Sequence, residues 1–316
     1  MLELCPHKSI PPLPGEQLRS LAGSTPERGT GGEGPTEQSP ACRQALSIAA
    51  ILTVALVSAP LHAADRFDDP ADRAFTAGLD DTIQRYVELR PTNFDPTKPV
   101  DIVIALHGHG SDRWQYVRAD RGECRGVRDV AARHRMIMVS PDYRATTSWM
   151  GPAAESDLVQ LIGLLREQYR VRRVYLAGAS MGGTSVLIFA ALHPDLTDGV
   201  LSENGTANML EYDQFQDAIA ASYGGSKSDQ PDEYRRRSPE LIPDKLTMPL
   251  AFTVGGRDTI VPPVSVRRLS RSLKDQDRDD VLLIDDFDGG HATNYDDTVR
   301  AFDFIIRQAE LRDEAP

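Results

Sequence analysis

The stretch Arg173–Gly183 reads RVYLAGASMGG, and the apolar run Thr184–Leu192 (TSVLIFAAL) follows it directly. The first five residues predict a buried strand, and the apolar run predicts a helix. A strand that passes into a helix within so few residues needs a tight, strained turn. Side chains at Gly178 and Gly182 would collide with neighbouring backbone in that turn, so glycine is needed there. The sequence therefore predicts a strand–turn–helix unit with Ser180 at its apex.

Ser180 is a candidate nucleophile. The pattern G-x-S-x-G between a strand and a helix presents the serine hydroxyl at the carboxyl edge of a sheet. The N-terminus of the following helix favours negative charge that develops there. An ordinary glycine-rich turn is the alternative interpretation. Because a serine hydroxyl is a weak nucleophile at neutral pH, the chemistry also needs a base beside it.

The candidate base follows from chain order, which in this arrangement runs serine, acid, histidine. Only His193 and His291 come after Ser180. His193 precedes Pro194 at the end of the predicted helix, where a histidine is favoured by the helix dipole. His291 lies in a glycine-rich loop after the last predicted strand. The order therefore selects His291.

The candidate acid should lie between these two residues, after the penultimate strand. Asp258 follows the predicted strand Leu250–Val254, and a carboxylate buried beside an imidazole holds its tautomer and stabilises the imidazolium. Three further aspartates lie on the histidine's own strand or loop and are rivals: Asp285, Asp286 and Asp288. Position favours Asp258 over them.

A tetrahedral intermediate also needs two hydrogen-bond donors for its oxyanion. One is expected to be the backbone N–H of Met181, the residue after the nucleophile. The other is expected from the loop Leu106–Asp112 (LHGHGSD), which follows an early buried strand. The two histidines of this loop, with Asp112 as the nearest acid, are a weak zinc pattern. We therefore expect no metal and no cofactor.

The rest of the sequence alternates between strand and helix patterns, which predicts an α/β fold with a mostly parallel central sheet flanked by helices. Strands are predicted at Thr82–Leu89, Val100–Leu106, Met136–Ser140, Arg173–Ala177, Gly199–Ser202, Leu250–Val254 and Val281–Ile284. Helices are predicted at Gly126–His134, Ser156–Gln168, Thr184–Leu192, Val264–Leu273 and Tyr295–Leu311. A small insert near 206–245 is either a cap over the site or a solvated helical excursion.

The first 64 residues read as a targeting segment rather than as part of the fold. Residues 1–42 are predicted to be a disordered leader, and residues 43–64 a signal peptide with cleavage after Ala63 or Ala64. A start codon placed too early would explain the long leader; a membrane anchor and a buried helix are the alternatives for the apolar run. The catalytic domain is then 65–316, and the protein is expected to be exported, either periplasmic or secreted.

Composition removes several classes of protein. The chain has 316 residues, 35 Lys+Arg against 47 Asp+Glu, and a net charge of -12. This charge repels phosphate backbones, so no nucleic-acid partner is expected. Three cysteines cannot form a disulfide framework. Because no apolar run reaches 18 residues, a multi-span membrane protein is excluded, and no stable membrane insertion is expected once the signal is removed.

Together, HGHG at 107–110, GASMGG at 178–183, GGRDTIVPP at 255–263 and GGH at 289–291 resemble the α/β-hydrolase superfamily. The resemblance covers about residue 82 to the C-terminus. It is nearest to secreted esterases, polyhydroxybutyrate depolymerases and the catalytic domain of prolyl oligopeptidases. In such esterases the residue after His-Gly supplies the second oxyanion N–H, which here implies His109. Because only 42 residues, counted from Asp65, precede His107 in the expected mature chain, we expect no propeller domain between them.

The resemblance implies a serine hydrolase that cleaves carboxylic esters, in small molecules or polymers, through an acyl-enzyme. A peptidase or amidase of the prolyl oligopeptidase type is an alternative, as is a non-catalytic binding protein on the same fold. Trp114 and Trp149 follow strands and could stack on a sugar or phenolic acyl group. They could equally pack the loops against the domain.

Overall fold

The computed structural model describes residues 66–314, and seven of its eight strands, β2 to β8, lie where the sequence predicts them. The strands are β1 (Ala71–Thr76), β2 (Ile83–Leu89), β3 (Val100–Leu106), β4 (Ile137–Pro141), β5 (Val171–Ala179), β6 (Gly199–Glu203), β7 (Leu250–Gly255) and β8 (Val281–Asp286). They form one sheet in the order β1-β2-β4-β3-β5-β6-β7-β8. The pairings from β4 to β8 are parallel, whereas β2 runs antiparallel to both of its neighbours.

Helices cover both faces of this sheet. They are α1 (Gln115–Arg118), α2 (Gly122–Arg133), α3 (Pro152–Gln168), α4 (Met181–Leu192), α5 (Gln216–Tyr223), α6 (Pro231–Arg236), α7 (Val264–Lys274) and α8 (Tyr295–Glu314). The strand β3 shows why its sequence is apolar throughout. Ile102 and Ile104 belong to the apolar cluster that also contains residues of α3, α4 and α7, while Val103 and Ala105 belong to the cluster with residues of α2 and α8 on the opposite face. The predicted α/β architecture with a mostly parallel sheet is confirmed.

The helices differ from their predicted extents mainly at their first turns. The helices α2, α3 and α4 begin three or four residues earlier than their apolar periodicity indicates. Pro152 occupies the first turn of α3, a position that suits proline because its missing N–H has no partner there. Periodicity locates the buried stripe of a helix, not its capped end.

The edge strand β1 was not predicted. Its residues alternate between partly buried and exposed, and its sequence ADRAFT has no apolar run. It pairs with β2 over six residues, from Ala71 opposite Glu88 to Thr76 opposite Ile83. Such a strand is stabilised by its backbone hydrogen bonds, which leave no hydrophobic pattern in the sequence.

The insert near 206–245 is packed against the core and contains α5 and α6. Arg237 is fully buried. It donates to Met150 O at 2.6 Å and to Glu155 Oε2 at 2.5 Å. Tyr223 is buried as well and donates to Trp149 O at 3.1 Å. These contacts exclude the solvated excursion, because the insert is held to α3 and to the loop before it.

The predicted leader 1–42 and the predicted signal peptide 43–64, with its cleavage site at Ala63 or Ala64, lie outside the described residues. Among the helices of residues 66–314, none combines the length and the apolar character that a membrane crossing requires.

Candidate active site

Ser180 occupies the turn between β5 and α4 with φ 60° and ψ −120°, a positive-φ conformation that is strained for a residue with a side chain. Its backbone N–H donates to Glu203 O on the neighbouring strand β6, at 2.8 Å. The turn is therefore held in place by the sheet, and the serine side chain points out of the carboxyl edge. This is the strained strand–turn–helix unit that the sequence predicts.

The glycines around Ser180 are there because no side chain fits. A Cβ on Gly182 would lie 2.0 Å from Leu106 O, and one on Gly178 would lie 2.5 Å from the carbonyl of Gly182. A Cβ on Gly183 would lie 2.5 Å from Glu203 O. The predicted collisions with backbone at Gly178 and Gly182 are confirmed.

The structure brings the predicted serine, histidine and aspartate into one hydrogen-bonded line. His291 lies in the loop between β8 and α8, and its Nε2 is 2.8 Å from Ser180 Oγ. Its Nδ1 is 2.6 Å from Asp258 Oδ2. His193, the other histidine after the serine, is instead paired with Glu155 at 2.9 Å, at the end of α4. A base oriented in this way by a carboxylate can take the proton from a serine hydroxyl.

Asp258 is buried, and its second oxygen is also satisfied. Oδ1 accepts the backbone N–H groups of Ile260 and Val261, each at 2.9 Å. The three rival aspartates contact other groups and not His291. Asp285 pairs with Arg267, Asp286 accepts from the Gly289 amide, and Asp288 pairs with Arg257.

The loop that carries His291 is tied down by residues that the sequence analysis did not single out. Thr293 Oγ1 donates to Asn204 Oδ1 at 2.6 Å and lies 2.7 Å from Thr253 Oγ1. Asn204 Nδ2 reaches Gly290 O at 3.4 Å, next to the histidine. Asn204 itself has φ 48°, a conformation that asparagine tolerates better than most residues. Its place directly after β6, at the same sheet edge as Ser180, is the only sequence signal that marks it.

The loop Leu106–Asp112 lies directly against the nucleophile turn. A Cβ on Gly108 would lie 3.8 Å from Ser180 Cβ. The amides on either side of His109 are occupied: Gly108 N donates to Gln115 Oε1 at 3.0 Å, and Gly110 N donates to Thr146 O at 2.7 Å. Within residues 66–314, no acceptor takes the amides of His109 and Met181. Both amides that the sequence predicts as oxyanion donors are therefore without a partner among the described residues.

The ring of His109 is fixed by aromatic neighbours. Trp149 Nε1 donates to His109 Nδ1 at 3.1 Å. The ring of Phe215, from the insert, lies 4.4 Å from the His109 ring, centroid to centroid. Burial lowers the pKa of His109, so the imidazole is neutral at neutral pH.

Neither tryptophan has the position expected of a substrate contact. Trp149 is fully buried, and its ring packs against Tyr212 and Phe215 behind His109. Trp114 lies under Arg118, whose guanidinium is 3.7 Å from the ring centroid. No tryptophan is among the described residues that line the cavity over Ser180. The alternative interpretation, in which the ring packs a loop against the domain, describes Trp149.

The cavity over Ser180 has a volume of about 330 Å³. Phe215 and Ile260 form an apolar part of its wall, and the ion pair of Arg121 and Glu123 forms a charged part. The full lining is Gly108, His109, Gly110, Ser111, Gln115, Arg121, Glu123, Ala179, Ser180, Asn204, Phe215, Ile260, His291, Ala292 and Thr293. The insert thus contributes Phe215 to the cavity wall.

A buried carboxyl lies beneath the nucleophile turn. Glu203 at the end of β6 is fully buried, and its Oε1 accepts from Thr298 at 2.6 Å. Burial raises the pKa of Glu203 to about 8. The buried thiol of Cys124 nearby has its pKa raised to about 11 by the same cause, which keeps it unreactive at neutral pH. Sequence reasoning missed Glu203 because a glutamate at a strand end gives no sign of burial.

His107 is part of the core. Its Nδ1 lies 2.9 Å from Gly108 O and its Nε2 lies 3.3 Å from Asp142 O, so backbone carbonyls surround both nitrogens. Across residues 66–314, no group of three or more His, Cys, Asp or Glu side chains is arranged to hold a metal ion.

Comparison with known proteins places this geometry among serine hydrolases. The model of the prolyl oligopeptidase family matches residues 143–309, more than half of the chain. No curated protein sequence matches the chain. The expected resemblance to α/β-hydrolases is confirmed by solved structures that share the fold.

Three of these structures illustrate the range. A Bacteroides ovatus protein, provisionally described as a dipeptidyl aminopeptidase IV, has a TM-score of 0.60 at 17% identity, with 78% of this chain and 36% of that chain covered. S-formylglutathione hydrolase from Staphylococcus aureus has a TM-score of 0.58 at 15% identity, with 77% of this chain and 100% of that chain covered. Acylaminoacyl peptidase from Pyrococcus horikoshii has a TM-score of 0.58 at 16% identity, with 77% of this chain and 42% of that chain covered. The chain thus spans about two fifths of each peptidase or less, but the full length of the S-formylglutathione hydrolase.

Proposed function

The chain belongs to the prolyl oligopeptidase family and is a serine hydrolase, and on that premise we propose that it is an exported enzyme that cleaves carboxylic esters through Ser180, His291 and Asp258. One observation carries the proposal. The hydrogen bonds from Ser180 Oγ to His291 Nε2, at 2.8 Å, and from His291 Nδ1 to Asp258 Oδ2, at 2.6 Å, form a continuous line that opens into a cavity.

The proposed reaction has two halves. His291 Nε2 takes the Ser180 proton as Oγ attacks the ester carbonyl, and Asp258 stabilises the imidazolium that forms. The amides of Met181 and His109 hold the oxyanion. His291 then gives the proton to the departing alcohol, which leaves an acyl-enzyme on Ser180. Water, activated by the same imidazole, releases the acid and restores the serine.

Esters are proposed as substrates because the motifs at 107–110 and 178–183 resemble those of secreted esterases. S-formylglutathione hydrolase, a structural neighbour of this chain, shares the fold. A fold likeness does not transfer activity by itself, so the preference is tested below. Peptidase or amidase activity is the second candidate, and the family match to residues 143–309 favours it.

Export is proposed from the sequence of residues 43–64 alone. If the signal peptide is cleaved after Ala63 or Ala64, N-terminal sequencing of protein recovered from the periplasm or the medium will begin at Ala64 or Asp65. A mature protein that retains residues 43–64 would contradict export by this route.

The proposed reaction is tested with the purified protein and the Ser180→Ala variant on p-nitrophenyl acetate, butyrate and octanoate. We expect the wild-type protein to hydrolyse at least one ester and the variant to lose activity to below roughly one ten-thousandth. Unchanged melting temperature in the variant shows that the fold is intact. If the variant keeps its ester turnover, Ser180 is not the nucleophile.

Two further assays separate the alternatives. Faster cleavage of blocked prolyl amides than of any ester, lost in Ser180→Ala, would establish the peptidase. A wild-type protein that fails to react with a fluorophosphonate probe, although folded, would favour the non-catalytic binding protein.

A further inference from the structure

His109 carries chemistry in its side chain that its expected backbone role does not use. Its ring lines the cavity over Ser180 and is only partly buried. The indole of Trp149 can only donate a hydrogen bond, and it does so to His109 Nδ1 at 3.1 Å. Nδ1 must therefore be the unprotonated nitrogen, and in a neutral ring the proton is on Nε2.

The neutral form and its orientation are both enforced. Burial lowers the pKa of His109, which disfavours an imidazolium with protons on both nitrogens. The ring lies between Trp149 and Phe215, with centroid distances of 5.8 Å and 4.4 Å. Trp149 in turn is fixed because it is fully buried and its carbonyl accepts from Tyr223 at 3.1 Å. The tautomer is thus set by Trp149, which is held by its burial and by the hydrogen bond from Tyr223.

His109 Nε2 has no hydrogen-bond partner within the described residues, and it is not among their buried, unsatisfied polar atoms. An N–H donor that is open to solvent in a cavity wall is available to a bound molecule. A donor that is already oriented loses little conformational freedom when it binds, which makes it an effective selector of acceptor atoms.

We propose that the side chain of His109 is a specificity-determining group, whose Nε2–H binds an acceptor oxygen in the acyl part of the substrate, close to the scissile carbonyl. The inference rests on the proposed ester cleavage at Ser180. His291 must protonate the leaving alcohol, so that part of the substrate lies on the side of His291. His109 belongs to a different loop, the one after β3, whose amide is proposed to bind the carbonyl oxygen, so we place the acyl part of the substrate beside its ring. The substrate class is therefore an ester whose acyl group carries an ether, hydroxyl or carbonyl oxygen.

The test compares two esters of the same shape, p-nitrophenyl methoxyacetate and p-nitrophenyl butyrate, in which an ether oxygen replaces one methylene. The two differ in intrinsic reactivity, so the measured quantity is the ratio of their kcat/KM values. We expect His109→Phe to lower this ratio by about tenfold, the worth of one hydrogen bond to a neutral acceptor. An equal loss on both esters would overturn the inference, because it would assign the ring no role in selection.

Trp149 is the positioning residue, and Trp149→Phe tests it by removing the indole donor while keeping an aromatic ring. The histidine ¹⁵N chemical shifts should show a single tautomer, protonated at Nε2, in the wild-type protein and a mixture in the variant. The ratio of kcat/KM for the methoxyacetate to kcat/KM for the butyrate should fall by about twofold. This is expected when half of the His109 rings have a lone pair on Nε2 in place of the N–H donor. Trp114→Phe is the matched control, since that ring lies outside the cavity, and should change neither quantity. A wild-type ring protonated at Nδ1 would overturn the inference.

Labelling of Ser180 by methoxymethyl- and propyl-substituted fluorophosphonates repeats the comparison without ester turnover. Labelling needs only a reactive serine, so this assay also serves an enzyme whose substrates are amides. A probe ratio that falls in His109→Phe supports the inference even if no ester is cleaved. Labelling that depends on Ser180, with the same ratio in wild type and His109→Phe, would support the serine nucleophile and overturn the inference.

Discussion

Asp258 and His291 are joined by a hydrogen bond of 2.6 Å between Oδ2 and Nδ1, although 33 residues separate them in the chain. We expect Asp258→Asn to lower kcat by about ten-thousand-fold, because an amide in this place favours the wrong histidine tautomer. The measurement is steady-state hydrolysis of the best p-nitrophenyl ester. Asp285→Asn is the matched control, since Asp285 pairs with Arg267 on the surface. Equal activity of both variants would contradict the assignment of the acid.

The contact between Gly182 and Leu106 predicts a strong steric effect of one methyl group. We expect Gly182→Ala to destabilise the protein by about 3 kcal/mol and to abolish fluorophosphonate labelling, because the new Cβ would meet Leu106 O at 2.0 Å. Gly163, in α3, has nothing within 4 Å of the same added atom. Gly163→Ala should therefore raise stability by about 1 kcal/mol through helix propensity. Urea unfolding measures both, and a tolerated Gly182→Ala would contradict the described turn.

The buried carboxyl of Glu203 predicts a pH dependence of stability. Burial raises its pKa in the folded protein to about 8, above the ordinary value of 4.5, so the folded state binds the extra proton between these limits. Stability should therefore fall as pH rises through this window, by up to about 1.4 kcal/mol per pH unit from this group. Glu203→Gln removes this pH-dependent fall in stability and keeps an acceptor oxygen for the Thr298 hydroxyl.

The test is unfolding of wild type and Glu203→Gln at intervals from pH 5 to pH 9. The stability of the variant relative to wild type should increase up to about pH 8 and then level off. Glu167→Gln, at an exposed position of α3, controls for the loss of one negative charge. A difference that does not vary with pH would show that Glu203 is ionised in the folded protein.

Removing the Thr293 hydroxyl should lower activity as well as stability, whereas removing another buried hydroxyl should lower stability alone. Thr293→Val leaves Asn204 Oδ1 and Thr253 Oγ1 without this partner and should cost about 1–3 kcal/mol. Because the loop also carries His291, we expect kcat to fall by about tenfold with little change in KM. Thr298→Val removes a comparable buried bond, to Glu203, but should leave kcat intact. Similar kcat values in the two variants would remove the positioning role of Thr293.

Arg237 holds the insert to α3 and to the loop before it, so its replacement should make the insert less stable. Arg237→Met leaves Glu155 and Met150 O without their strongest donor and should destabilise the protein by about 3 kcal/mol. We also expect faster proteolysis within 206–245. Arg235→Met, at an exposed position in the last turn of α6, should change neither stability nor proteolysis. If the insert resists protease as well as wild type does, other contacts hold it.

The sequence predicts those parts of the fold whose pattern is local. The apolar runs of β3, β5 and β7 mark strands buried on both faces, and the glycines beside Ser180 mark a turn without room for side chains. Chain order and strand ends suffice to select His291 and Asp258. The predicted extents fail where apolar periodicity is silent, as in the polar edge strand β1 and the short helices α5 and α6.

What the sequence does not reveal depends on contacts between distant segments. The bond from Trp149 to His109 spans 40 residues, and the one from Thr293 to Asn204 spans 89. Nothing local distinguishes a tryptophan that holds a histidine from one that faces a substrate. Likewise, Glu203 becomes a buried acid only because α8 covers the end of β6.

The crowded contacts of Gly178, Gly182 and Gly183 leave no room for a larger residue in the turn at Ser180, whereas the cavity wall is built from side chains that lie outside this turn. Ser111, Arg121, Phe215 and Ile260 line the cavity from four separate segments. A protein engineer could randomise these four positions without disturbing the turn that presents Ser180. The molecule thus combines a sterically fixed turn at Ser180 with a cavity wall whose side chains can be exchanged, which makes it a suitable scaffold for directed evolution of substrate selectivity.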